Sequence, residues 1–110
     1  MAYDEALAAR IRDLLGEERD VIEKKMFGGL AFLLGGNMAI AASGHGGALV
    51  RCRPDESDAL VATTAAEKMV MRGREMDGWL RVASDQLRTK RELARWVGIA
   101  TAYARSLPAK

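Results

Sequence analysis

Residues 24–40 read KKMFGGLAFLLGGNMAI, two glycine pairs seven residues apart around an apolar run. Either the glycines cradle a phosphate or they shape a sheet, and the choice decides the fold. A dinucleotide fingerprint needs G-x-G-x-x-G between a strand and a helix, and a P-loop needs Lys and Ser or Thr directly after its glycines. Neither spacing is present. Leu30, Phe32 and Leu34 alternate onto one face of a strand while Ala31 and Leu33 point to the other. Gly35-Gly36-Asn37 supplies the positive φ angles of a hairpin turn, and Met38–Ala42 returns as the partner strand. The glycines therefore shape a sheet.

Working outward, Ser43-Gly44-His45-Gly46-Gly47 reads as a second turn and Ala48–Arg53 as a third strand, making an antiparallel meander. Upstream, Leu7, Ile11, Leu14 and Leu15 form the stripe of an amphipathic helix that Asp4 caps and Gly16 ends. Downstream, Pro54 with acidic Asp55, Glu56 and Asp58 marks the start of a short helix that contacts the core through Leu60 and Val61. Lys68–Arg72 and Trp79–Ala83 read as two more strands, joined by GREMDG as a loop too long for a two-residue turn. Thr89-Lys90-Arg91-Glu92 is a capping-box pattern, and Leu93, Trp96, Ala100, Tyr103 and Leu107 follow at helical spacing. The expectation is an α+β, two-layer domain over residues 1–110: a five-stranded antiparallel sheet packed against helices, in the order α-β-β-β-α-β-β-α.

Composition narrows the function. The 110 residues are 49% hydrophobic and carry a net charge of +2, suited to one modest core and too nearly balanced to predict polyanion binding from charge alone. The lone Cys52 can form neither an intramolecular disulfide nor a zinc cluster, which fits a reducing compartment. No leader-like or membrane-spanning apolar run is present, so a cytoplasmic protein without membrane contact is expected.

No catalytic set stands out, and no enzyme, cofactor or metal is expected. His45 is the sole histidine, in a glycine-rich turn without evident ligand neighbours, and reads as a surface imidazole; Ser43 beside it makes no triad. Cys52 reads as a small core hydrophobe. Met26, Met38, Met69 and Met71 read as core filler, Met76 as an anchor for its loop, and Trp79 and Trp96 as core or core margin. The arginines carry the polar chemistry. Arg51, Arg53, Arg72, Arg74 and Arg81 come from strands or the loop between them. If Arg51, Arg53 and Arg81 share the uncovered sheet face, they can hold a small anion, a nucleotide or an acidic partner; a solvated face balanced by Glu67, Glu75 and Asp77 is the plainer reading. Arg88, Lys90, Arg91 and Arg95 cluster at the start of the last helix, where positive charge opposes the helix dipole, and form a candidate nucleic-acid contact.

Taken in order, KKMFGGLAF, GGNMAIA, GREMDGWLRV and ELARWVGIATAYARSLP resemble the N-terminal domain of the TfoX (Sxy) family of competence regulators, from about Leu7 to Leu107. The resemblance implies a secretion-chaperone-like topology of helix, three strands, helix, two strands, helix. It also implies a regulatory, protein-binding role linked to transcriptional control of DNA-uptake genes, with a homodimer as one arrangement, in a family whose full-length members carry a second, helical domain. It transfers no catalytic residue. Met26, Phe27, Gly28, Gly29, Gly73, Met76, Gly78 and Trp79, which match its motifs, are expected to frame two loop regions.

Overall fold

The computed structural model describes residues 3–26, 28–44 and 46–108. His45 and Phe27 lie outside them. Three helices and six strands follow in the order α1 (Glu5–Leu14), β1 (Val21–Met26), β2 (Gly29–Leu34), β3 (Asn37–Ala42), β4 (Ala48–Arg51), α2 (Ser57–Thr63), β5 (Glu67–Met71), β6 (Arg74–Val82) and α3 (Lys90–Ser106). Short 3-10 turns at Pro54–Glu56 and Ser84–Gln86 lead into α2 and towards α3. All strand pairs are antiparallel, and the sheet order is β1-β2-β3-β4-β6-β5.

The sheet thus has six strands where the sequence predicts five. The added strand is β1, whose VIEKKM pairs residue for residue with β2, from Val21 opposite Leu34 to Met26 opposite Gly29. Its middle four residues are exposed, so no apolar alternation marks it. Ladder hydrogen bonds hold it rather than side-chain burial. A second correction concerns GREMDG. Arg72-Gly73 alone makes the turn, both at positive φ, and Arg74–Asp77 continue straight into the nine-residue β6. The third expected strand is also shorter: β4 ends at Arg51, and Arg53 lies beyond it as the residue preceding the 3-10 turn.

The signals read at the starts of α1 and α3 and at the first hairpin hold, whereas α1 ends on Leu15 as its C-cap and Gly16 after it has no positive φ. Asp4 accepts a hydrogen bond from the Leu7 amide at 3.0 Å, and Thr89 and Glu92 complete a reciprocal capping box. Gly35 and Gly36, at φ +59° and +85°, make the two-residue β2–β3 turn, a conformation that a side chain would penalise at both positions.

The helices gather on one face. α3 packs chiefly on β3 and β4, α1 against α3 and β3, and α2 against β6 and β5. Between them lies the core, with Ile11, Phe32, Leu34, Ile40, Val50, Cys52, Leu80, Val82, Leu87 and Leu93 fully buried. Polar ties close its margins. Asn37, itself buried, donates to the Pro108 carbonyl at 2.9 Å, Arg12 grips Glu23 of β1 at 2.7 Å, and Arg105 of α3 reaches Glu18 and the Arg19 carbonyl.

Candidate functional site

The three arginines expected to act together have different surroundings. Arg51, half-buried at the end of β4, lies between two aromatic rings, 5.0 Å from the Trp79 centroid and 5.2 Å from that of Tyr103. Trp79 is its cross-strand partner, so the pairing register itself delivers the ring to the guanidinium. Arg53 is exposed and donates twice to Asp55 at 3.2 Å, which raises its pKa through that hydrogen bond. Arg81 alone lines a cleft on the helix-free face of the sheet. The structure does not bring the trio to one point.

That cleft is a hollow over the middle of the sheet. Its floor is a second apolar cluster of Ala31, Met38, Ala41 and Leu49, all buried although no helix covers this side. Side chains from both ends of the sheet provide the cover: Met26 from β1 and Met69 from β5 pack against the cluster, as do Leu33 and Trp79. Strands at opposite ends of a six-strand order can meet over one cleft only if the sheet curls. The enclosed volume is about 210 Å³, with Ser43, Gly44, Val70 and Arg81 at its margin. Arg81 sits in register between Leu49 of β4 and Glu67 of β5, and its side chain has no ion pair or hydrogen bond to a described residue.

The sequence reading treated these methionines as core filler and missed the cleft. A signal was present. Every residue of β2 is apolar or glycine and every residue of β3 is buried, so both faces of the middle of the sheet are apolar, while three helices suffice to cover one.

The basic cluster stays together at the start of α3 and gains a member from another element. Arg10 of α1 donates to the Arg88 carbonyl at 3.1 Å, which adds its charge to exposed Arg88, Lys90, Arg91 and Arg95. Arg95 rests 5.8 Å from the Trp96 ring centroid, and Glu92, the nearest acid in sequence, is engaged in the capping box.

Lys68 was not anticipated. It reaches Asp58 of α2 at 2.5 Å and Asp77 of β6 at 2.9 Å, and these two acids raise its pKa. Asp77, expected to balance the arginines, instead helps join α2 to the β5–β6 hairpin.

Cys52 is confirmed as a core residue. Its thiol lies 3.7 Å from the Ser57 hydroxyl, which in turn accepts a hydrogen bond from the Gly78 amide at 2.5 Å. Burial pushes the thiol pKa above its ordinary 9.0. The sign of the linkage follows: the unfolded thiol ionises first, so this contribution to stability is complete below about pH 9 and is lost as pH rises through the folded value. Iodoacetamide at pH 8 should leave Cys52 unmodified in the native protein and label it fully in denaturant, read by intact mass. Rapid native labelling would contradict the burial.

Of the described residues matching the family motifs, Met26 and Gly29 line the cleft and Trp79 packs against its floor. Met26, Gly28 and Gly29 form the β1–β2 connection, and Gly73, Met76, Gly78 and Trp79 lie on the β5–β6 hairpin, with Met76 opposite Met69. Among the described residues no group of three His, Cys, Asp or Glu could hold a metal ion, and no helix is long and apolar enough to cross a membrane. Helices on one face of a curled antiparallel sheet, with an apolar cleft on the other, define an open-faced α+β domain. The sequence profile of the TfoX N-terminal domain matches residues 13–104, most of the chain, and the protein belongs to that family. No curated protein and no solved structure matches it.

Proposed function

We propose that this domain is a non-enzymatic regulatory module that binds a protein partner by accepting an extended segment alongside β5. One observation carries this reading: among the described residues the exposed large apolar side chains, Ile22, Val70 and Met71, all lie on the two end strands of the sheet. An end strand presents unpaired backbone groups, and soluble proteins guard such edges with charge. β1 is guarded by exposed Glu23, Lys24 and Lys25. β5 is guarded less: exposed Glu67 stands at its start, Lys68 is held by Asp58 and Asp77, and Val70 and Met71 beyond them are 58% and 37% exposed. Strand addition draws affinity from backbone hydrogen bonds and specificity from alternate side chains, which suits β5. Family membership supports the regulatory setting, and transcriptional control of DNA uptake is the pathway in which the partner is sought.

Affinity capture from native lysate, with light scattering on the purified chain, tests this. A stoichiometric partner, or a second copy of the chain, is expected with the wild type and absent with a Val70→Lys, Met71→Lys double variant of unchanged melting temperature. Equal capture by both proteins would overturn strand addition. Capture that disappears on nuclease treatment would instead assign binding to the basic surface of Arg10, Arg88, Lys90, Arg91 and Arg95.

A further inference from the structure

The cleft has two properties that point to one kind of occupant. The first is its size. A volume of about 210 Å³ is too small for a helix or a strand, yet larger than the roughly 150 Å³ apolar cavity that takes up a benzene-sized guest. Its lining is suited to an alkyl chain: the floor of Ala31, Met38, Ala41 and Leu49 has no charge, and Met26, Met38 and Met69 contribute unbranched, polarisable thioethers that can mould to a guest.

The second property is, among the described residues, one unneutralised cation at the margin. Arg81 lines the cleft and pairs with no described acid. Glu67, its cross-strand neighbour, forms no ion pair with it, although both line the adjoining hollow beside Gly46 and Gly47. A guanidinium offers a planar fork that matches one carboxylate in bidentate fashion. One such group complements a monoanion, whereas a phosphate dianion calls for further donors of positive charge.

We propose that the cleft binds a small amphipathic monocarboxylic acid, its hydrocarbon chain against Met26, Met38 and Met69 and its carboxylate on Arg81. Such an acid would fill the apolar floor that the helices leave uncovered and neutralise the arginine. The ligand uses the helix-free face of the sheet, whose cleft shares Val70 with the β5 edge; Arg81→Gln leaves that edge intact, so failure of one reading is separable from failure of the other.

Octanoate is the probe, titrated into the full chain carrying ¹³C-methyl methionine. The methyl resonances of Met26, Met38 and Met69 should shift and saturate together, while that of Met71, which does not line the cleft, should stay in place. Octyl alcohol supplies the uncharged control. In Arg81→Gln, an exposed position where folding is not at stake, the affinity for octanoate relative to octyl alcohol should fall about tenfold, with octyl alcohol itself unaffected. Three unmoved methyls at millimolar octanoate would overturn the proposal. So would an Arg81→Gln variant that keeps the wild-type ratio. A response only to an apolar peptide ending in a free carboxylate would also overturn it, because the site would then belong to a protein terminus.

Discussion

Replacing Phe32 by alanine is expected to cost the domain about 3–5 kcal/mol, a large part of the roughly 5–15 kcal/mol that holds a domain of this size together. Phe32 is fully buried in β2, paired with Glu23 on one side and Ile40 on the other, with its ring in the layer between sheet and helices. Truncation removes apolar surface from the core and leaves a void that two hydrogen-bonded neighbouring strands cannot easily collapse into. Phe32→Leu, which keeps much of the volume, should cost about 1.5 kcal/mol or less. Denaturant unfolding followed by the fluorescence of Trp79 and Trp96 reads both, as a fall in midpoint with the slope unchanged. A loss below about 1 kcal/mol for the alanine variant would mean that sheet and helices do not pack over Phe32 as described.

The second large effect is expected at Gly47, and Gly46 beside it supplies the control. Both have positive φ, +67° and +91°, so alanine at either pays about 1–2 kcal/mol of left-handed strain. Only Gly47 is also crowded. A Cβ there would stand 2.2 Å from the Val82 carbonyl oxygen, while one at Gly46 would meet nothing within 4 Å. Val82 pairs with Ala48 at the start of β4, so relieving the clash means parting β4 from β6, and with them the two halves of the sheet. Gly47→Ala should therefore exceed Gly46→Ala by about 2 kcal/mol, a gap of roughly 10 °C in melting temperature. Equal melting temperatures would show that the β4–β6 junction yields without cost.

These two positions also show how far the sequence could be read. Phe32 was legible because alternation placed Leu30, Phe32 and Leu34 on one face, and that face is the core. Gly47 was legible as a turn residue, but its approach to Val82 was not, since the two are far apart in the chain. β1 was missed for a related reason: VIEKKM has no buried face to alternate and exists because β2 offers it a ladder. GREMDG was read as a loop because Arg74, Glu75 and Asp77 are polar. In β6 those positions are exposed, so polarity was compatible with a strand, and the Arg72-Gly73 turn was sufficient to reverse the chain.

The candidate site divides in the same way. By itself the sequence determined the three helices and their caps, the Gly35-Gly36 hairpin, the antiparallel α+β class, the family, and the basic cluster at the start of α3. Each depends on residues close in the chain, whose spacing and backbone preferences act locally. Tertiary structure alone decided that Arg51 is held between Trp79 and Tyr103, that Arg53 pairs with Asp55, that Arg10 joins the basic cluster, and that Arg81 stands over a methionine-lined cleft. Those outcomes follow from strand order and sheet curl, which bring β1 and β5 from opposite ends of the sheet to one cleft. Curl is a collective property of paired, twisted strands, and no local run of residues encodes it.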